Sequence, residues 1–136
     1  MIKEIVVELD VNGIADITKE VEEFVKNCGL NEGAVLVFNV GSTGAITTIE
    51  YEPGLKKDFP RIMEKIAPYG DNYEHHKTWG DDNGSSHVKA AIIGPSIVVP
   101  FRNGKLLLGT WQQIVVVNFD TKRRNRKVIL QILKSI

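Results

Sequence analysis

From residue 87 onward the chain reads as five short apolar runs, 87–93, 96–101, 105–109, 113–119 and 127–133, with hardly a spacer between them. Gly94-Pro95, Asn103-Gly104, a kink near Thr110 and a basic loop at 120–126 divide the runs. Asn-Gly between two strand-like runs is the strongest short-range hairpin signal, because both turn positions favour positive φ. A run of strands this closely joined, after an order of β, α, β, β, α, argues for antiparallel sheets.

The first half supplies the helices. Met1–Leu9 mixes branched apolar residues with Lys3, Glu4 and Glu8 and reads as a strand with one wet face. After Asn12-Gly13, the residues Ile17, Val21, Phe24, Val25 and Cys28 fall on one helical face. Asp16 or Thr18 can cap its start, and Gly29 can stop it. Ala34–Val40 and Ala45–Tyr51 read as two more strands. Phe59, Ile62, Met63 and Ile66 mark a second helix, expected to begin near Asp58 so that Pro60 falls in its first turn. The expectation is a single α+β domain over 1–136: mostly antiparallel strands, sandwich- or barrel-like, with two helices.

Lysine plus arginine and aspartate plus glutamate each total 17, so no overall field draws the chain to nucleic acid or an anionic membrane. A single cysteine, Cys28, excludes an intramolecular disulfide framework and fits a reducing compartment. The N-terminus is charged from Lys3 and lacks the apolar segment of a signal peptide, and no apolar stretch is long enough to span a bilayer. A cytoplasmic location follows as the expectation.

Pro68–Ser86 has no usable periodicity and contains His75 and His76, with His87 just beyond it. Long structureless segments inside small domains are uncommon and more often functional or mobile than idle. Imidazoles bind metals and move protons near neutral pH. His75 and His87 are too far apart for a local ligand motif, so only folding can unite them; otherwise they are a loop histidine and a strand-end histidine. Asp81-Asp82-Asn83-Gly84 is either an ordinary turn or a source of carboxylate for a hard cation. Lys89, on one strand face with His87, either snorkels at an edge or faces a polar cavity. Glu50, in line with Thr48, poses the same choice. Trp111 and Gln112 interrupt two apolar strands with groups that need hydrogen-bond partners. Lys122, Arg123, Arg124, Arg126 and Lys127 form the only dense basic run; arginine forks match phosphate, but the missing aromatic residues argue against nucleic acid.

The stretch "GDDNGSSHVKAAIIGPSIVVPFRNGKLLLGTWQQIVVVNFD", with Asp16–Thr18, Ser42–Pro53 and the arginines after Asp120, resembles the YjbQ family, associated with secondary thiamine-phosphate synthase activity. The resemblance implies an antiparallel-rich α+β homotrimer with a histidine cluster that binds a divalent metal (Mg or Zn) or an anion. The implied reaction joins hydroxymethylpyrimidine pyrophosphate to thiazole phosphate and releases pyrophosphate. The family positions match His75, His87 and Glu50, whereas a further family histidine falls on Gly41. Asp82, Asp81 or His76 can replace it, and Asp82 is the choice as third metal ligand beside His75 and His87. Lys89, Arg123 and Arg126 are then phosphate partners, Glu50 or His87 handles protons, and Trp111 and Gln112 line the pyrimidine pocket. Two alternatives remain. One is a metal-dependent hydrolase of a small phosphorylated metabolite; the other is a trimeric protein that only binds metal or metabolite.

Overall fold

The computed structural model describes residues 1–136. In chain order its elements are β1 (Ile2–Leu9), β2 (Ile14–Asp16), α1 (Thr18–Lys26), β3 (Glu32–Val40), β4 (Gly44–Ile49), α2 (Pro53–Ile66), α3 (Glu74–Trp79), α4 (Gly84–Ile93), β5 (Ser96–Arg102), β6 (Lys105–Leu106), β7 (Gln113–Asn118) and β8 (Arg124–Lys134). Two antiparallel sheets form, ordered β1-β8-β3-β5-β6 and β2-β7-β4. The α+β, antiparallel expectation holds.

β7 is buried on both faces, which is why it reads Ile-Val-Val-Val rather than alternating with polar residues. Ile114 and Val116, with Ile46 of β4, pack against Val35, Val37, Val99, Phe101, Val128 and Leu130 of the larger sheet and against Val21 and Val25 of α1. Val115 and Val117, with Ala45, meet Met63 of α2 and Ala90 of α4 on the other side. The molecule is therefore layered: five-stranded sheet with α1 against it, three-stranded sheet, then α2 and α4.

The Asn103-Gly104 hairpin forms as expected, with φ of 55° and 72° at the two turn residues and Phe101 paired with Leu106. Four helices occur rather than two. Residues 87–93, expected as a strand, belong to α4: the run Val88-Lys89-Ala90-Ala91 lacks β alternation, and two alanines favour helix. The segment before it holds α3, closed by Gly80 at φ 69° in the left-handed region. α2 begins at Pro53, not near Asp58. Pro53 occupies the first helical turn, and the Glu52 carboxylate accepts from the Gly54 and Leu55 amides. Pro60 consequently lies inside the helix. Asp16 ends the short strand β2, and its carboxylate accepts from the Thr18 amide at 2.9 Å where α1 starts. The run expected over 105–109 shrinks to the two residues of β6.

Phe101 is 2% exposed in the layer between the two sheets. Phe101→Ala is expected to cost about 3–5 kcal/mol in urea unfolding. A loss below about 1 kcal/mol would mean that this layer does not carry the stability assigned to it.

Candidate functional site

α3 and α4 lie side by side because Gly84 permits it. A Cβ at Gly84 would sit 2.6 Å from Cβ of Tyr73, and the Gly84 amide donates to Nε2 of His76 at 3.1 Å. This close approach brings His75 and His87 together, with ring centroids 4.4 Å apart. His75 Nδ1 is 3.1 Å from an Asp81 carboxylate oxygen, yet the approach is off the hydrogen-bonding direction, so this buried nitrogen has no hydrogen-bond partner. Burial pushes the His87 pKa below its ordinary value and His75 adds to that, while Asp120 and Asp81 oppose it. His87 is therefore a neutral imidazole at pH 7, suited to act as base or ligand.

Because 87–93 is helical, His87 and Lys89 point to opposite sides, about 200° apart, rather than sharing a face. Lys89 turns into a cleft of about 630 Å³ between α2, α4 and the turn after β7. It is 4% exposed, and its Nζ donates to Glu64 at 2.6 Å. Partial burial would raise the Glu64 pKa, but the bonds from Lys89 and the Tyr69 amide outweigh it and hold the group below the usual carboxylate range. At the rim the Tyr69 hydroxyl donates to Asp82 at 2.6 Å. Arg61, Ser86 and Asp120 also line it, and the buried Ser86 hydroxyl has no partner. Another depression, of about 370 Å³, lies among Gly33, Phe101 and Leu133 at the ends of β3, β5 and β8, with Glu32, Arg102 and Lys134 in its lining.

Below the cleft, the end of β7 anchors a buried polar network. Asp120 is 1% exposed and accepts from Thr43 Oγ1 at 3.1 Å, Arg124 Nε at 2.7 Å and the Thr121 amide at 2.7 Å. Burial works to raise its pKa, but these bonds win and hold it below the ordinary value. Asn118 Oδ1 accepts from Arg126 Nη2 at 2.6 Å and from the Asp120 amide.

The remaining expected residues lie elsewhere. Asp82 faces the cleft and Tyr69; the carboxylate beside His75 belongs to Asp81. Gln112 bridges the Gly109 amide to the Thr48 hydroxyl, Trp111 is 71% exposed beside it, and Glu50 is exposed just after β4. The β4–β7 register puts that group near the Ile49–Gln113 end and the Asp120 network near the Gly44–Asn118 end. Five residue steps separate the two ends, roughly 17 Å of strand. Arg123 is exposed and engaged by Glu8 and Asp10, whereas Arg126 is buried within the network. Glu64, Tyr69 and Asn118 escaped the sequence reading. Only Asn118, a polar residue directly after a continuous apolar run, left a local signal there.

A family model described as UPF0047 protein YjbQ-like matches residues 3–135. The chain belongs to the YjbQ/UPF0047 family. A UPF0047 protein of Archaeoglobus fulgidus is 42% identical over 116 residues, covering 85% of this chain and 88% of that protein. YugU of Bacillus subtilis is 37% identical over 109 residues, 79% of this chain and 80% of its own. Among solved structures, a hypothetical protein from Aeropyrum pernix K1 superposes with a TM-score of 0.90 at 31% identity, covering 99% of both chains. A Sulfolobus solfataricus YbjQ-like protein described as of unknown function gives 0.84 at 32%, covering 99% of this chain and all of its own.

The divalent metal implied by the family resemblance has donors of suitable type in His75, His87 and Asp81, and no hydrogen bond occupies His75 Nδ1 among them. As they stand, however, no three His, Cys, Asp or Glu groups converge closely enough to hold an ion. No helix is long and apolar enough to cross a membrane.

The lowered His87 pKa makes a prediction about stability. The unfolded chain binds the proton first, so the His87 contribution is fully present above the ordinary value of 6.5 and is lost as pH falls through the lower folded value. Asp120 titrates below 3.8, outside that window. Urea midpoints taken from about pH 8 down to about pH 5 should fall for the native chain and fall less for His87→Gln. Parallel curves for the two would contradict it.

Proposed function

We propose that the cleft binds a phosphorylated small metabolite and that the protein catalyses thiamine-phosphate synthesis from hydroxymethylpyrimidine pyrophosphate and thiazole phosphate. The observation that carries this reading is the buried Lys89 in a cleft of mixed charge. Arg61 and Lys89 supply positive charge, and Glu64, Asp82 and Asp120 supply negative charge. A pyrophosphate travelling with Mg²⁺ carries both signs and suits such a lining. In the reaction the thiazole nitrogen lone pair attacks the methylene carbon. The carbon–oxygen bond then breaks, and its electron pair leaves with pyrophosphate. No proton is released at that nitrogen, so the catalytic demand is charge on the leaving group, met in the cleft by Lys89 and Arg61. His87, neutral at pH 7, faces away from Lys89 across α4 and would hold water or take up a proton beside His75, outside the leaving-group cleft. A resident divalent metal, Mg or Zn, would be held by His75, His87 and Asp81, and would add positive charge beside them.

Trp111, Gln112 and Glu50 lie too far from Lys89 in one chain to share a ligand with it. A cytoplasmic homotrimer resolves this by placing one subunit's Trp111 end against its neighbour's cleft. The outer face of the five-stranded sheet supports assembly: Val6, Phe38, Val40, Val98 and Leu133 are all exposed there. The His75–His87–Asp81 group favours a second reading, metal-dependent hydrolysis of a phosphorylated metabolite, in which the pair holds an activated water.

Incubation with both thiamine precursors and Mg²⁺ should yield thiamine phosphate. Lys89→Met, which keeps the apolar stem, should lower kcat/KM by roughly a hundredfold or more. Absence of product, or undiminished product from Lys89→Met and from a His75→Ala, His87→Ala double variant, would sink the synthase reading. Release of inorganic phosphate instead would favour the hydrolase. Light scattering should give three times 15.2 kDa for the native chain and a smaller species for Phe38→Glu. A monomeric native protein would remove the shared-site arrangement.

A further inference from the structure

Arg126 is a buried cation without a counter-ion. It points inward from β8, 5% exposed, and no carboxylate lies within ion-pair distance of it. The nearest acid, Asp120, is committed to Arg124, Thr43 and Thr121. Only Nη2 is satisfied, donating to the neutral acceptors Thr43 Oγ1 at 2.7 Å and Asn118 Oδ1 at 2.6 Å. Nε is buried with no partner, and Nη1 makes no hydrogen bond either. Burying a guanidinium is costly unless opposite charge and acceptors compensate, so an arrangement that leaves most of its donors idle calls for an anion.

The free Nη1 faces Gly41. A Cβ built on that residue would lie 3.1 Å from Nη1, and Gly41 itself is exposed. Only a side-chain-free residue thus stands between the guanidinium and solvent. The loop it begins, Gly41-Ser42-Thr43, offers three consecutive amides with no backbone acceptor. The Gly41 carbonyl is meanwhile tied back by the Asn39 amide group at 3.2 Å, which fixes the loop's start. Successive free amides beside a cation make a concavity for anions. Burial and the Arg124 charge disfavour the charged guanidinium and Asp120 only partly offsets them, a balance that an added anion would correct.

We propose that Arg126 Nη1 and the 41–43 loop form a seat for a phosphate-like oxyanion, open to solvent because residue 41 has no side chain. The oxyanion is either free phosphate or the terminal group of a phosphorylated metabolite. In the second case the seat extends the proposed function by fixing where such a group docks. Its own test needs no turnover, so the two stand or fall separately.

Titration of the native chain with inorganic phosphate, followed by ¹⁵N chemical shifts, should move the Gly41, Ser42 and Thr43 amides and the Arg126 side-chain signals. Chloride at equal ionic strength should leave them in place. Glycerol 3-phosphate is the second arm: tighter binding than phosphate indicates a metabolite seat, weaker binding a site for the free ion. Arg126→Gln should weaken phosphate binding by about tenfold or more, the loss of one charge-assisted hydrogen bond, and Gly41→Ala should weaken it because its methyl fills the space in front of Nη1. Arg102→Ala, on the far sheet edge, should bind as the native chain does. Residue 41 sits at φ 141°, where alanine is strained, so the native-chain shifts decide the matter if either variant fails to fold. Shifts no larger than with chloride, or folded variants that bind phosphate unchanged, would overturn the seat.

Discussion

The burial of β7 on both faces is the constraint on which the rest of the structure depends. Val115 and Val117 face the helices while Ile114 and Val116 face the large sheet, so one strand is the wall between two apolar layers. Antiparallel strands usually keep one wet face. Here neither face is wet, and every polar group at the strand's end must find a partner inside the protein. Asn118 does so completely, its amide donating to the carbonyls of Leu9, Asp10 and Lys122.

That requirement explains why chemistry collects where β7 stops. Asn118, Asp120 and Thr43 satisfy one another in a region of low dielectric, where each bond is strong and each omission expensive, and Arg126 joins them through Nη2 alone. Gly44 makes room for it: a Cβ there would stand 2.9 Å from Arg126 Nε and from both terminal atoms of the Asn39 side chain. The helices then add a cleft on one side of this network and the histidine pair nearby, through the tight contact of Gly84 with Tyr73. Packing and candidate chemistry therefore share a boundary at the end of a single strand.

The sequence was most legible where one local rule decides the outcome. Asn103-Gly104 made its hairpin because both residues accept positive φ, and the 17–25 face of α1 was visible from its spacing. It was least legible in α4. Val88, Ala90, Ala91, Ile92 and Ile93 present apolar atoms around the helix, so no polar stripe reveals the 3.6-residue period. That one misreading also placed His87 and Lys89 on a shared face, when the helix sends them to different neighbours. Pro60 misled in a similar way: the Glu52–Pro53 cap starts α2 early enough to put the proline inside it.

By itself, the sequence determined the antiparallel α+β class, the membership in a family and the residue types available for chemistry, because these follow from local periodicity, turn chemistry and motif order. Only the tertiary structure decided which of those residues meet. It joined His75 to His87 and Asp81, gave Lys89 to Glu64 and Asp82 to Tyr69, and left Arg126 buried without a counter-ion. Such pairings join residues up to dozens of positions apart. They depend on which face each helix turns inward and on how closely a glycine lets two backbones approach, and neither is written in a local pattern.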